Sequence, residues 1–316
     1  MYFRGSNPSG IGHTAPNEAA AGALAGEITA LGIRSVRALS RTVISALHAH
    51  LLLLLLLLSV AGFSAGAFGE ADSPPKIALI NPPEKGFFAK HLDFHGIPIK
   101  APEVVVDDAL YAAYARLSML LSNQPVVVLN LAAAGAELHI IGRNQVTTDL
   151  PEWRRDKGKH LAEYRGLTRD QRTRGMGGLL TSCGEENLLN LETDRYHGRD
   201  ICLHEFSHNI RNHGITREVR AKFDALYHRS LEKGLWQKSY AGSNPDEFFA
   251  ELTMWYFGTH GDLHMNGPKP ENGPEGLKKY DPEAFALFDE FYRGRINVPK
   301  VERPFHGHSP EDVDDE

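Results

Sequence analysis

The chain is short of cysteine, has no surplus of positive charge and carries no phosphate-binding loop, and each shortage narrows what it can do. Only two cysteines occur in 316 residues, Cys183 and Cys202. Their spacing fits no standard metal-ligand pattern. In an oxidising compartment the pair is instead a disulfide candidate, which would fix the start of the helix after Cys202 against the preceding segment. Lys and Arg number 34 against 40 Asp and Glu, a formal charge of −6, so no nucleic-acid partner is expected. Gly175-Met176-Gly177-Gly178 lacks both phosphate-loop spacing and a following Lys-Ser/Thr pair. It reads as a flexible approach to the next segment. There are no internal repeats. At 42% hydrophobic and 23% charged, the composition is that of an ordinary globular chain.

Long apolar runs are equally scarce. The one conspicuous run is Leu51 to Leu58, continuing through Ser59 to Phe63. It is about 13 residues long, against the roughly 20 a membrane span needs. Ser64-Ala65-Gly66-Ala67 follows, and Ala65-x-Ala67 fits a signal-peptidase site. Residues 1–67 therefore read as a leader and signal peptide cleaved after Ala67. The competing reading is an uncleaved N-terminal anchor, the one case in which a membrane becomes a partner. Either way the bulk of the chain is expected outside the cytoplasm, secreted or periplasmic.

Ala71 to Gly86 reads as a proline-rich loop around a short strand, Ile77 to Ile80, and His95 to Ile99 as a second strand. Asp107-Asp108 open a helix through Leu121, with apolar positions at Leu110, Ala113, Leu117 and Leu121. Gln124 to Ala134 is a further helix stopped by Gly135, and Ala136 to Gly142 a strand. That order predicts a small sheet backed by helices. Leu179 to Leu189 should then be extended, an edge strand beside the next helix that can bind a substrate backbone by strand addition. Its Glu185, Glu186 and Asn187 are candidate substrate-binding residues, with a carboxylate meeting a positive group of the substrate.

What is present lies in Cys202-Leu203-His204-Glu205-Phe206-Ser207-His208. Histidines four apart share one helix face and can grip a single Zn²⁺, and the glutamate after the first can reach a water on that metal. Asp200 is the expected N-cap and Gly214 the end of this helix; a second follows from about Thr216 to Lys233. Asn244-Pro245 then start a helix in which Glu247 and Glu251 lie one turn apart among Phe248, Phe249, Leu252, Trp255 and Tyr256. Two acids on so apolar a helix are costly to bury unless paired or metal-bound. A catalytic zinc commonly takes two histidines and one glutamate, so Glu247 supplies the third ligand, and Glu251 can hold the far nitrogen of a ligating histidine. Tyr240, just before this helix, is the candidate oxyanion donor. His228, His260 and His264 read as solvated. A last helix begins at Asp281-Pro282 and runs through Tyr292.

His-Glu-Phe-Ser-His followed by Tyr240, a seven-residue step and Glu247-Phe-Phe-Ala-Glu251 resembles the catalytic domain of anthrax-lethal-factor-type metallopeptidases of the gluzincin clan, to which clostridial Pro-Pro endopeptidases belong. The resemblance covers about residues 179–257. It implies a zincin-like fold, with His204, His208 and Glu247 as zinc ligands, Glu205 as general base and acid, and Tyr240 as donor to the oxyanion. The expectation is an α+β metallopeptidase acting on a peptide or protein substrate. Its N-terminal mixed subdomain would span about 68–198 and its metal-binding helical subdomain 199–297, with the cleft between them and a disordered acidic tail over 298–316. The alternatives are a zinc amidohydrolase or aminopeptidase, or a catalytically silent binding module on the same scaffold.

Overall fold

The computed structural model describes residues 75–260 and 269–302. The expected signal segment, His264 and most of the expected tail lie outside the described residues. Among these residues no helix is long and apolar enough to cross a membrane.

The first half forms a mixed six-stranded sheet. Strands β1 (Ala78–Glu84), β2 (Phe88–Phe94) and β3 (Ile97–Ala101) make an antiparallel meander. The expected strand at His95 to Ile99 is thus the end of a hairpin: His95 and Gly96 both have positive φ, the backbone of a tight two-residue hairpin turn, and the Asp93 carboxylate accepts from Gly96 N at 3.1 Å. Helices α1 (Asp107–Leu121) and α2 (Pro125–Ala133) then carry the chain over to β4 (Glu137–Ile141), which lies parallel to β3. The second crossover runs through short 3₁₀ turns and the four-residue helix α3 (Arg169–Arg172) to β5 (Gly175–Met176) and β6 (Leu180–Gly184).

Strand order is β1-β2-β3-β4-β6-β5, with β6 parallel to β4 and β5 antiparallel to β6. This corrects the expected edge. The segment from Leu180 is internal, and the edge beside the next helix is Gly175-Met176, within the stretch read as a flexible approach. The extended run is also shorter than expected, because Glu185–Leu188 turns into the short helix α4.

The second half is helical. After α5 (Ile201–Asn209) a single π-helical segment, Ile210–Gly214, leads to α6 (Arg217–Glu232), then α7 (Pro245–Phe257), α8 (Pro274–Tyr280) and α9 (Pro282–Tyr292). Caps fix where these helices begin. The side chains of Asp200, Thr216, Asn244 and Asp281 accept from the backbone N–H of Leu203, Val219, Glu247 and Ala284. Gly258, with φ of 71°, ends α7 in a left-handed C-cap.

Helix α5 packs on β6 and β5 on one side and on α7 on the other, so it joins the sheet to the helical layer. Phe206 and Ile210 are fully buried in that seam. Behind α7, Phe223, Phe249, Phe288 and Phe291 form an edge-on aromatic cluster with centroids 4.9–5.5 Å apart around Phe223. Burying each such ring is worth about 1.5–3 kcal/mol. Arg116 of α1 reaches Asp200 at 2.7 Å and ties the first helical layer to the cap of α5.

Cys183 of β6 and Cys202 of α5 are free and fully buried, in place of the candidate disulfide. Burial pushes the Cys183 thiol well above its usual range, so it stays protonated, whereas disulfide chemistry needs a thiolate.

Candidate metal centre

Two helices supply the centre. On α5, His204 and His208 stand one turn apart, with Nε2 atoms 3.2 Å from each other. On α7, Glu247 is in the first turn because Asn244 caps the helix there, and its Oε2 lies 3.2 Å from His204 Nε2 and 3.7 Å from His208 Nε2. That oxygen is buried and accepts no hydrogen bond. Among the described residues this trio is the one cluster whose ligand atoms all lie within 4.8 Å of one another.

The set fits a tetrahedral zinc. Bonds of about 2.0–2.1 Å at tetrahedral angles place ligand atoms roughly 3.3 Å apart. Two imidazole nitrogens and an unpartnered carboxylate oxygen at that spacing could hold a cation between them. Protonation shows the same preference. Burial lowers the His204 pKa, but the adjacent Glu247 and Glu251 carboxylates outweigh it and push it up to about 10. Burial and the neighbouring His204 charge push His208 down to about 4. One positive charge is therefore favoured where the three ligand atoms meet.

The His204 ring is held from behind. Its Nδ1 lies 3.1 Å from Glu251 Oε1, and Glu251 is fully buried. The same carboxylate accepts from Arg199 and is hydrogen-bonded to His260, whose ring stacks on Trp255 at 4.4 Å. Burial raises the Glu251 carboxyl pKa, but these partners more than reverse that and hold it far below the usual carboxylate range. His260 is thus wholly buried, not solvated as its loop setting suggested.

Glu205 and Tyr240 face the same cleft, a concavity of about 370 Å³ whose walls include Tyr164, Arg172, Gly175 to Gly177, Tyr196 and the ligand residues His204 and Glu247. Burial raises the Glu205 pKa to about 7, so its carboxyl gains and loses a proton near neutrality. Tyr240 donates to Glu247 Oε1 at 2.9 Å and lies nearly parallel to the His204 ring. Burial, then the Glu247 charge, push its phenol pKa up, so it remains a donor.

Glu185, Glu186 and Asn187 do not reach this cleft. Glu185 Oε1 takes Val106 N and Oε2 takes Arg143 N, while the Arg143 guanidinium bonds both oxygens. Glu186 is paired with Arg174 at 2.6 Å, and Asn187 donates to Asp194 and Arg199 O while accepting from Ile201 N. All three are buried and spent on internal partners, which corrects their expected role toward substrate. The residues the sequence did not single out are Arg199, His260 and the edge glycines. A Cβ on Gly177 would meet His208 Cβ and Cδ2 at 3.1 Å and Glu205 Oε2 at 3.2 Å. Absence of a side chain is what lets β5 and its extension lie against α5. The Gly-x-Gly-Gly run was the available signal.

No protein-family model and no curated protein matches the chain. Among solved structures it is similar to a Pro-Pro endopeptidase (PPEP-2) from Paenibacillus alvei, with 16% identity and a TM-score of 0.42 over 59% of this chain and 92% of that one.

Proposed function

We propose that this chain is a zinc-dependent metallopeptidase of the zincin type, exported from the cytoplasm, that hydrolyses peptide bonds. The observation that carries this reading is the convergence of His204, His208 and the unpartnered Glu247 Oε2 beside Glu205 in an open cleft. The motif resemblance over His204 to Glu251 supports it, and the Ala65-x-Ala67 pattern after the leucine run supports export.

His204, His208 and Glu247 would hold the ion, which when bound polarises the scissile carbonyl and makes water acidic enough to attack at neutral pH. Glu205 takes the proton from the attacking water and passes it to the leaving amine. Tyr240 turns its O–H from Glu247 to the oxyanion; loss of one such donor typically costs about 10²–10³ in rate. Glu251, braced by Arg199 and His260, keeps the His204 ring turned to the cleft.

The test is digestion of a peptide library by the purified protein with stoichiometric zinc, with and without a chelator. Chelator-sensitive cleavage is expected. A zinc-loaded, folded protein that cuts no peptide would refute the peptidase reading.

A further inference from the structure

The cleft does not end at the ligand cluster. A second concavity of about 690 Å³ adjoins it, lined by Glu163, Tyr164, Arg165, Leu167 and Arg172. Tyr164 and Arg172 line both, so the two form one groove with Arg172 at the junction.

The turn that carries Arg172 is firmly anchored. Thr168 and Gln171 cap α3 reciprocally, Thr168 N donating to Gln171 Oε1 and Gln171 N to Thr168 Oγ1. Arg169 is buried against the Trp153 ring at 3.9 Å and paired with Asp156 at 2.7 Å, and Asp170 accepts from Thr148. Three of its four residues are thereby occupied in fixing the turn. Arg172 is not: among the described residues no carboxylate pairs with it, nor with Arg165 further along the groove.

Glu163 of the second concavity lies 3.9 Å from Arg169, not in an ion pair with Arg172. Arg199 is matched by Glu251, and Glu205 with Glu247 would balance a divalent cation. Arg172 is therefore a positive charge on the substrate's path held in no ion pair among the described residues. It lines the same concavity as Glu205 and Tyr240, which places it beside the reacting centre. A guanidinium on a rigid turn is pre-organised to receive a carboxylate through two parallel hydrogen bonds.

We propose that Arg172 is a specificity-determining residue that receives a carboxylate of the peptide substrate in the groove running from the ligand cluster past Tyr164. The proposal rests on the peptidase reading. The carboxylate comes from an acidic side chain or from the substrate's C-terminus.

The experiment uses the full chain loaded with zinc and fluorogenic peptides carrying Glu or Gln at one swept position, each as C-terminal acid and amide. A hydrogen-bonded charge pair predicts kcat/KM about 10- to 100-fold higher for the carboxylate member. Dependence on the swept residue assigns a side chain; dependence on acid against amide assigns the terminus. In Arg172→Gln the preference collapses toward unity, and in Arg172→Glu it turns toward Lys peptides. A parent without preference, or a ratio unchanged in Arg172→Gln, overturns the proposal. If the parent cuts no peptide, the peptidase reading has failed separately, and anisotropy of the labelled peptides decides: binding of the carboxylate peptide must weaken about tenfold in Arg172→Gln, and equal binding overturns the proposal.

Discussion

His204 is gripped at both ring nitrogens by carboxylates one turn apart on the same helix: Glu247 Oε2 lies 3.2 Å from Nε2, and Glu251 Oε1 lies 3.1 Å from Nδ1. The two acids are alike in type but not in surroundings. Glu251 is sealed and saturated by Arg199 and His260, whereas Glu247 keeps an oxygen with no donor. Glu247→Ala is therefore expected to lose zinc outright. Glu251→Ala should still bind it, about 10–100-fold more weakly because the ring is no longer oriented. It should also lose about 3–5 kcal/mol of folding stability, since the Arg199 charge loses its buried partner. Chelator competition and urea unfolding measure the two effects. Equal zinc retention in both variants would assign the ligand role elsewhere.

Glu205 touches none of the three ligand atoms, so Glu205→Gln is expected to retain stoichiometric zinc and a parent-like melting temperature. Hydrolysis should fall by about 10²–10⁴, the range a positioned general base supplies. Zinc content and turnover measured on the same preparation decide it. Cleavage at the parent rate would remove Glu205 from the chemistry.

Much of this centre was readable from local chemistry. Asp200, Thr216, Asn244 and Asp281 begin their helices as expected, because a cap is a contact of a side chain with its own next turn. What was not readable depends on chain partners far apart. Strand β2 carries Lys90, His91 and Asp93 between Phe88 and Phe94, so its alternation was obscured, and pairing with β3 makes it a strand. His260 is buried where Glu251 and Trp255 close on it from α7. Glu185 and Glu186 have the look of a cleft-facing pair until Arg143 and Arg174 arrive from elsewhere in the fold.

The edge strand offers a further test. A Cβ on Gly175 would lie 2.5 Å from Ile201 Cγ2, a branched atom that cannot swing aside, and 3.1 Å from Glu205 Cγ. Gly175→Ala is thus expected to push β5 off α5, lowering stability by about 1–3 kcal/mol as overpacking does. Gly177→Ala meets His208 Cβ and Cδ2 and Glu205 Oε2 at the looser distances of 3.1–3.2 Å, and should act more on zinc affinity and turnover than on stability. Unfolding curves and zinc competition on both variants separate the effects. A stability loss in Gly177→Ala as large as in Gly175→Ala would contradict this assignment.

The sheet contains an ionic cluster that should shape stability against pH. Lys100 lies 2.9 Å from Glu84 and 2.8 Å from Glu137, and the buried His139 ring lies 2.7 Å from Glu137 and 2.6 Å from Glu152. Burial raises the Glu137 carboxyl pKa, but hydrogen bonds from His139 and Lys100 outweigh it and bring it from 4.5 to about 2. Its folded pKa is below the unfolded one, so its contribution is present above about pH 4.5 and is lost as pH falls toward 2. Burial lowers the His139 pKa, yet hydrogen bonds to Glu137 and Glu152 raise it above 6.5 overall. Its contribution is complete below about pH 6.5 and is lost as pH climbs through the raised value. The cluster therefore stabilises most between about pH 4.5 and 6.5, by up to about 3 kcal/mol from Glu137. Glu137→Gln removes the acceptor charge that both shifts share. Urea unfolding from pH 3 to 8 should show a flatter acid limb and a weaker alkaline decline in that variant than in the parent. Parallel profiles would mean that the cluster does not couple protons to folding.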